Sequence, residues 1–466
     1  MIGGRRPLQG RKPADRRVRV ERPHAPYFRY TGPGQLVAKA AAGDALTPTE
    51  RGLARVRAVV FGRPLSNEEE IGERLTKRKA LAIFSSDAIS SSAYATEEIL
   101  RVLVLAGASA LFLSIHVAIA IAILLAVVSV SYRQVCRAYP NGGGAYVVAR
   151  TNLAPIFGLI AAAALLSDYV MTVAVSTAAA IAQIQSVIPQ AYDVRIEIAF
   201  VSISLITVAN LRGLRESGNI FAIPTYLFVG LALTIVGIGF FRIATGQAFA
   251  IPPEPDAVPF GTDVIGVVLL LRAFAGGSVA LTGVEAIANG VPAFKPPEAK
   301  NAANTMTAMA ILLAVLFIGL TVVAVQFGIR PTEDGGASVV ALAAETIFGE
   351  GSVLFVTFAA STALILFLAA NTSFNAFPRL AAILAEDGYM PRQFALRGDR
   401  LAYSWGIVLL AAIAFILLWG FGGDTHALIP LYSVGVFVCF TLSQIGMVKH
   451  WREVREQGWR WRTGER

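Results

Sequence analysis

The chain has 466 residues, of which 55% are hydrophobic and only 15% are charged, and its mean hydropathy is +0.61. Soluble globular proteins carry about 25% charged residues, so this composition excludes an ordinary soluble domain. Cys136 and Cys439 are far apart in the sequence and the four histidines are scattered, which argues against a disulfide framework and against a histidine metal site.

The positive charge is concentrated at the N-terminus. The net charge is +9, and residues 1–78 hold 17 of the 40 lysines and arginines. In a soluble protein this would suggest nucleic acid, but in so hydrophobic a chain it predicts a basic cytoplasmic extension without a nucleic-acid partner. Most of residues 1–78 is predicted to be disordered. Ser66 and Glu69 in LSNEEEIGERL have the spacing of a capping box and predict a short interfacial helix.

Ten apolar segments are long enough to be predicted as membrane spans. They are residues 80–105, 109–131, 155–187, 194–211, 218–243, 264–291, 304–329, 351–375, 404–421 and 427–448. They form a predicted core over residues 79–449, followed by a basic tail at 450–466. Between spans seven and eight, ASVVALAAETIF is too short to cross and is predicted to cap the outer face. If both termini are cytoplasmic, most lysines and arginines of the loops lie on the cytoplasmic side, as the positive-inside rule requires. The sequence therefore predicts a multi-pass protein of the cell membrane with both termini in the cytoplasm.

Two of the predicted spans are interrupted by small polar residues. Span one contains SSDAISSS, and span six contains AGGSVALTG at residues 275–283. Such residues weaken a helix at membrane depth and are tolerated where the freed backbone lines a cavity. Because the two breaks lie five spans apart, they indicate an all-α fold of ten helices in an inverted five-plus-five repeat, with helices one and six discontinuous.

Polar residues on spans one, three and six have helical spacing. Asp87 and Tyr94 are two turns apart and share a face of the helix. Inserting a carboxylate near the bilayer centre costs a free energy of about 2.5–3.5 kcal/mol, so the presence of Asp87 indicates a function. The candidate site residues are Asp87, Tyr94, Asp168, Thr172, Ser176, Thr282 and Glu285. If the three helix faces converge, they enclose a small cavity lined by oxygen atoms.

Each candidate also has a structural explanation. Serine and threonine hydroxyls in membrane helices often bond back to the i−4 carbonyl or join helices. Tyr94 could be an interfacial anchor, and Asp168 and Glu285 could pair with Arg272. Two further carboxyl residues, at positions 97 and 98, are expected to be solvated or paired with the arginine at position 101.

The chemistry of the breaks favours a cation. Asp87 and its serines occupy the position where amino-acid transporters of this architecture expose glycine amides to a substrate carboxylate, and Asp87 would repel that group. Carboxylate, hydroxyl, phenol and carbonyl oxygens fit an alkali or other hard ion better than a transition metal.

Three segments resemble a known family. FSSDAISSSAYATEEI, DYVMTVAVS and ALTGVEAIANGVPAFKPPEAKNAA are similar to segments of the KimA/KUP-type potassium importers, which belong to the amino acid–polyamine–organocation (APC) superfamily with the LeuT-like fold. The resemblance runs from about Glu73 to about Trp461 and implies proton-coupled potassium uptake, with a potassium ion and a proton as cargo and no cofactor. The matching positions are Asp87, Tyr94, Thr172, Ser176, Thr282 and Glu285, whereas Asp168 comes from the polar stripe alone.

The sequence also departs from that family. The family continues with two more membrane helices and often a regulatory domain with dimer contacts, whereas this chain stops at KHWREVREQGWRWRTGER. Helices eleven and twelve are therefore expected to be absent. A homodimer is left open, although the missing region argues against it.

The main hypothesis is a secondary transporter working by alternating access in the lipid bilayer. Potassium is expected at Asp87, Tyr94, Thr172, Ser176 and Thr282, and Glu285 is the candidate proton carrier. The first alternative is an amino-acid or polyamine permease of the same superfamily. The second is an inactive fragment or a membrane sensor. An enzyme is not expected, because no phosphate loop, nucleophile motif or metal cluster stands out in the loops.

Overall fold

The computed structural model describes residues 28–32, 35–38, 75–142, 144–212, 218–248, 254, 256–262, 264–333, 336–396 and 403–454. In the unit Met1–Gly62, strands β1 (Phe28–Gly32) and β2 (Gln35–Ala38) pair antiparallel, with Phe28 opposite Ala38. The sequence did not predict this hairpin. The predicted interfacial helix at Ser66 lies outside the described residues.

The second unit, Arg63–Arg466, is helical in its described part. The first predicted span is built from α1 (Lys77–Phe84), α2 (Ser86–Ser90), a 3-10 turn and α3 (Ala95–Leu103). The remaining helices are α4 (Leu113–Ala138), α5 (Gly144–Asn152), α6 (Pro155–Gln185), α7 (Arg195–Leu211), α8 (Gly218–Ala244), α9 (Val267–Gly277), α10 (Val284–Asn289), α11 (Glu298–Gln326), α12 (Val339–Phe348), α13 (Val353–Glu386), α14 (Ser404–Gly420) and α15 (Thr425–Val454).

Seven helical stretches of the described residues are long and apolar enough to cross a membrane. They are Ala108–Ala138, Pro155–Gln185, Ala222–Ala244, Val267–Asn289, Glu298–Gln326, Val353–Glu386 and Thr425–Val454. The other three predicted spans correspond to the interrupted helix α1–α3 and to the shorter helices α7 and α14. The multi-pass architecture is therefore present, and the exact count of ten spans stays a prediction.

The helices bury polar residues and expose apolar ones. Asp87, Asp168 and Glu285 are each 3% exposed or less, whereas Leu205 and Trp419 are more than 60% exposed. A soluble protein shows the opposite distribution, since its charged residues face water. The arrangement fits a bundle surrounded by hydrocarbon, with polar groups gathered around an internal site.

The largest differences from the sequence prediction are at α5 and at the end of α13. Helix α5 lies where a loop was expected, after a glycine-rich segment. Helix α13 was expected to end at residue 375 but continues through Pro378 to Glu386. The predicted short helix between spans seven and eight is confirmed as α12, and its N-cap Ser338 accepts a hydrogen bond from the backbone N–H of Ala341 at 3.2 Å.

Candidate cation site between two helix breaks

The first break begins directly before the aspartate. Ser85 separates α1 from α2, and the chain forms a 3-10 turn at Ser91–Ala93 before α3 begins. At Tyr94 the backbone leaves helical geometry, with φ −127° and ψ −19°. Asp87 lies within this interrupted stretch, where the backbone is no longer a continuous α-helix. The predicted interruption of span one is confirmed.

The second break turns at a glycine that contacts the first break. After the 3-10 turn Ser278–Leu281, Thr282 is extended and Gly283 adopts φ +76°, a left-handed conformation that favours glycine. A Cβ atom on Gly283 would lie 2.7 Å from Cγ of Asp87 and 2.8 Å from the backbone N of Ala88. The two breaks therefore meet at backbone distance, and a side chain at position 283 would occupy the space beside the Asp87 carboxyl group.

Hydroxyl groups from both breaks form a continuous cluster. The Oγ atom of Ser91 lies 2.9 Å from Oγ1 of Thr282 and 3.1 Å from the Tyr94 hydroxyl, and Ser91 also donates to the backbone carbonyl of Asp87 at 3.1 Å. The structure thus brings Asp87, Tyr94 and Thr282 together, as the helical spacing predicted. Ser91 occupies the centre of this cluster, although the sequence gave no reason to select it among five serines.

The third wall of the site comes from α6 and from a residue that was not predicted. Oγ1 of Thr172 lies 2.7 Å from the hydroxyl of Tyr432 on α15. Ser176 is fully buried one turn along α6, and its Oγ atom has no hydrogen-bond partner among the described residues. Tyr432 is 260 residues from Thr172 and is a lone tyrosine on its helix face, so no sequence spacing pointed to it.

The carboxyl groups of Asp168 and Glu285 are both buried and lie close to each other. Two ionised carboxyl groups buried side by side would repel each other, so this arrangement favours a proton on one of them. Oδ1 of Asp168 and Oε1 of Glu285 remain buried without a partner. The alternative pairing with Arg272 is not observed, because Arg272 is exposed on α9.

Asp87 is buried next to these groups. Its carboxyl group lies near Thr372 on α13 and near Glu285, while its Oδ1 atom has no hydrogen-bond partner among the described residues. A buried carboxyl group is costly unless it is paired, coordinated or protonated. The described residues contain no cluster of three His, Cys, Asp or Glu side chains with metal-binding geometry. The arrangement instead offers scattered hard oxygen donors, which suit a weakly held monovalent cation.

Comparisons with known proteins agree with this architecture. The family model described as amino acid permease matches residues 75–463. The chain is 48% identical over 406 residues to the potassium transporter KimA of Bacillus subtilis, covering 87% of this chain and 66% of that protein. The chain thus spans slightly under two thirds of the length of KimA. It is 23% identical to the low-affinity putrescine importer PlaP of Escherichia coli K12, over 71% of this chain and 72% of that protein.

Among solved structures, the chain aligns with the crystal structure of the Eremococcus coleocola manganese transporter, over 84% of this chain and 82% of the transporter chain. That transporter was solved in complex with an aromatic bis-isothiourea substituted compound. Its TM-score is 0.44 and its sequence identity is 14%. The family match covers the described helical unit almost completely and confirms the predicted class, an all-helical multi-pass membrane protein of the APC type. The chain belongs to the amino acid permease family.

Proposed function

We propose that this protein imports potassium together with protons across the cell membrane by alternating access. The observation that carries the proposal is the buried Asp87 carboxyl group, whose Oδ1 atom has no partner, beside the hydroxyl cluster of Ser91, Tyr94 and Thr282. Partly dehydrated potassium needs several oxygen donors of this kind. The name of the 48% identical relative, a potassium transporter, supports the same substrate.

Thr172 and Ser176 on α6 contribute the remaining oxygen donors. Ser176 has an unpaired buried hydroxyl, and Thr172 holds the Tyr432 hydroxyl near the site. Potassium then lies between α6 and the two breaks, and the spans that contain the breaks move against the rest of the bundle to change access. The ion is cargo, and the proposal includes neither a cofactor nor an enzymatic activity.

The Asp168–Glu285 pair is the proposed proton site. Two buried carboxylates side by side would repel each other, so one group is expected to carry a proton, and releasing it changes the charge beside Asp87. Each positive charge that moves inward across an interior-negative membrane gains about 2.3 kcal/mol per 100 mV. Potassium and a proton together would gain about 4.6 kcal/mol, which favours accumulation from dilute surroundings.

The proposal places both termini in the cytoplasm, because most loop lysines and arginines then lie on the inner side. The bilayer is the proposed partner together with the small cation, and a homodimer is compatible with this topology. The membrane in question is the plasma membrane of the cell, where an interior-negative potential drives cations inward.

A polyamine permease is the second candidate. A protonated amine would also be attracted to Asp87, and one of the relatives is named as a putrescine importer. Potassium is favoured because the hydroxyl groups of Tyr94 and Thr282 lie 3.1 and 2.9 Å from that of Ser91 and form a compact set of oxygen donors.

The test is growth of a bacterium without its own potassium-uptake systems at micromolar potassium. We expect the wild-type chain to rescue growth and Asp87→Asn to abolish the rescue, because the amide keeps the shape of the side chain but removes its charge. Asp193→Asn is the matched control, since Asp193 is exposed near the start of α7. If protein in the membrane takes up putrescine or an amino acid without rescuing growth, the potassium assignment is wrong.

A further inference from the structure

Two sets of buried polar side chains lie outside the candidate cation site. In the first set, Glu97 and Glu98 on α3 are only 5% and 7% exposed, which corrects the expectation that they are solvated. Glu98 is hydrogen-bonded to His426. Oε1 of Glu97 lies 4.0 Å from a guanidinium nitrogen of Arg101, so the expected pairing is present. These carboxyl groups have basic partners, whereas the second set, on α4 and α15, consists of hydroxyl groups.

Three hydroxyl groups of the second set are buried without a hydrogen-bond partner among the described residues. They belong to Ser129 and Tyr132 on α4 and to Ser443 on α15. Buried hydroxyl groups in membrane helices ordinarily bond back to their own helix, as those of Ser361 and Thr362 on α13 do. A buried hydroxyl group without such a bond is costly, so ordered water is the expected partner. We call Ser129, Tyr132 and Ser443 the inner hydroxyl cluster.

The inner hydroxyl cluster lies where α4 packs against α15. Ser129 and Tyr132 are three residues apart on α4, and Cys439 and Ser443 are four residues apart on α15, so each pair shares one face of its helix. The ring of Tyr132 packs edge-on against Phe440, with 5.7 Å between the ring centroids. Its hydroxyl group lies close to the side chains of Cys439 and Ser443. The cluster is therefore a polar region between two apolar helices.

On one side, the cluster adjoins the Asp168–Glu285 pair. Tyr132 and Cys439 are both close enough to Glu285 to interact with its charge. Tyr169 also lies near this pair, but its hydroxyl group already accepts a hydrogen bond from an amide side chain at 2.7 Å. The hydroxyl group of Tyr132 has no such bond, so it is free to exchange a proton with the carboxyl pair.

On the other side, the cluster approaches one end of the bundle. Tyr132 is six residues before the end of α4, about 9 Å at 1.5 Å per residue. At that end the hydroxyl group of Tyr139 lies 3.3 Å from Nδ1 of His450 on α15, and both side chains are partly exposed. The proposed orientation places this end of the bundle in the cytoplasm. The cluster thus lies between the buried carboxyl pair and the cytoplasmic surface.

We propose that Tyr132 and Ser443 relay protons between the Asp168–Glu285 pair and the cytoplasm. This inference rests on the proposed potassium–proton transport, to which it adds the route of the proton. A hydroxyl oxygen accepts a proton from one neighbour while its own proton passes to the next, so each side chain is unchanged once it has rotated back. Water molecules beside the unpaired hydroxyl groups complete the chain. Both residues lie outside the set of proposed potassium ligands, so removing their hydroxyl groups should spare potassium binding.

The test compares proton flux with potassium binding in the same variants. Proteoliposomes with an internal pH-sensitive dye receive external potassium under a clamped potential. We expect Tyr132→Phe to lower the potassium-dependent proton flux on the order of tenfold, because it removes only the oxygen that passes the proton. Ser443→Ala should lower the flux to a similar extent. In both variants, potassium should stabilise the protein against thermal unfolding as much as in the wild type.

Two controls separate a relay from a packing role. Ser361→Ala also removes a buried hydroxyl group, but this group bonds to the backbone of its own helix at 2.8 Å, so proton flux should be unchanged. The double variant Tyr132→Phe with Ser443→Ala should be about as slow as either single variant, since both substitutions interrupt one route. Deuterium oxide should slow Tyr132→Phe more than it slows the wild type, because the proton step has become limiting.

Wild-type proton flux in both single variants would overturn the relay. Potassium binding that falls in parallel with the flux would also overturn it, because that result indicates a packing role. A wild-type protein that takes up potassium without protons would refute the proposed coupling itself. Normal coupling in the wild type and in both variants would instead remove only this route.

Discussion

Gly283 is the residue at which both helix breaks come closest. We predict that Gly283→Ala abolishes potassium binding and destabilises the fold by about 1–3 kcal/mol, because its Cβ atom would overlap the Asp87 carboxyl group at an unfavourable φ of +76°. Thermal unfolding with and without potassium measures both effects.

Gly237→Ala is the matched control for this substitution. Gly237 lies within α8, where a Cβ atom would meet no atom within 4 Å. A helical glycine of this kind is expected to tolerate alanine or to gain slight stability. If potassium stabilises Gly283→Ala and Gly237→Ala against unfolding to the same extent, the close contact between the two breaks is not needed for potassium binding.

At the scale of single residues, helical spacing predicted those contacts that lie along one helix. Asp87 and Tyr94 were selected because they are two turns apart on a span that needs no charge, and the structure places both beside Thr282. Tyr432 and His426 were missed because their partners, Thr172 and Glu98, are more than 250 residues away in the sequence. Only the packing of α15 against the rest of the bundle brings them to those partners.

At the scale of elements, α5 is fastened to the end of α13 by one carboxylate. Tyr146 on α5 donates to Oδ2 of Asp387 at 2.6 Å, and Arg150 binds the same oxygen. The Arg150 hydrogen bond holds the pKa of Asp387 below its usual value, against a smaller opposing effect of burial. The pKa of Asp387 is lower in the folded protein than in the unfolded chain. The contact therefore stabilises the fold at pH values above the ordinary aspartate pKa, and this stabilisation is lost as the pH falls through the lower pKa of the folded state.

We therefore predict that α5 becomes susceptible to proteolysis only in strong acid. Limited pepsin digestion between about pH 5 and about pH 2.5 should show cleavage within residues 144–152 that rises below about pH 4 in the wild type. Asp387→Asn should show this cleavage throughout the range. Glu386→Gln, one residue earlier, is the control and should behave as the wild type. A wild-type protein that is cleaved equally at all these pH values would contradict the role of Asp387.

Apolar runs predicted the position of most helices, but not all of their ends. The breaks of the first and sixth spans were correctly located, because serine and glycine interrupt otherwise continuous hydrophobic runs. Helix α5 was missed because it is short, begins at the last of three consecutive glycines and has little apolar periodicity. The end of α13 was placed too early because its last turns extend beyond the apolar segment, where contacts with the rest of the protein stabilise them.

At the scale of the whole molecule, coupling to protons should depend on one buried carboxyl pair. We predict that Glu285→Gln leaves potassium binding measurable but abolishes proton movement, because an amide cannot bind and release a proton as a carboxyl group does. Proteoliposomes with an internal pH-sensitive dye, given external potassium under a clamped potential, measure the proton flux.

Glu298→Gln, which changes a carboxyl group in the first turn of α11, is the control and should retain proton flux. Undiminished potassium-dependent acidification in Glu285→Gln would remove this pair from the coupling mechanism. A variant that also loses potassium binding would place Glu285 among the ion ligands rather than in a separate proton site.

Composition alone predicted the class of the whole molecule. A chain with few charged residues and many long apolar segments exposes a surface that is stable only in the hydrocarbon of a membrane. The match to the amino acid permease family agrees with this class. The orientation stays a prediction, since it depends on loop charges rather than on packing. The convergence of three polar helix faces followed from the paired breaks, whereas the contact between Thr172 and Tyr432 depends on tertiary packing that leaves no periodic signal.

The unexpected length of α13 has a mechanical consequence. Thr372 contacts Asp87 in the middle of this helix, and Asp387 at its end is fixed to α5, about 22 Å away at 1.5 Å per residue. Between them, Pro378 lacks the N–H group that would complete the local hydrogen-bond ladder, so bending is easiest there. A bend at Pro378 would therefore change the distance between the part of α13 near Asp87 and the end that is bound to α5.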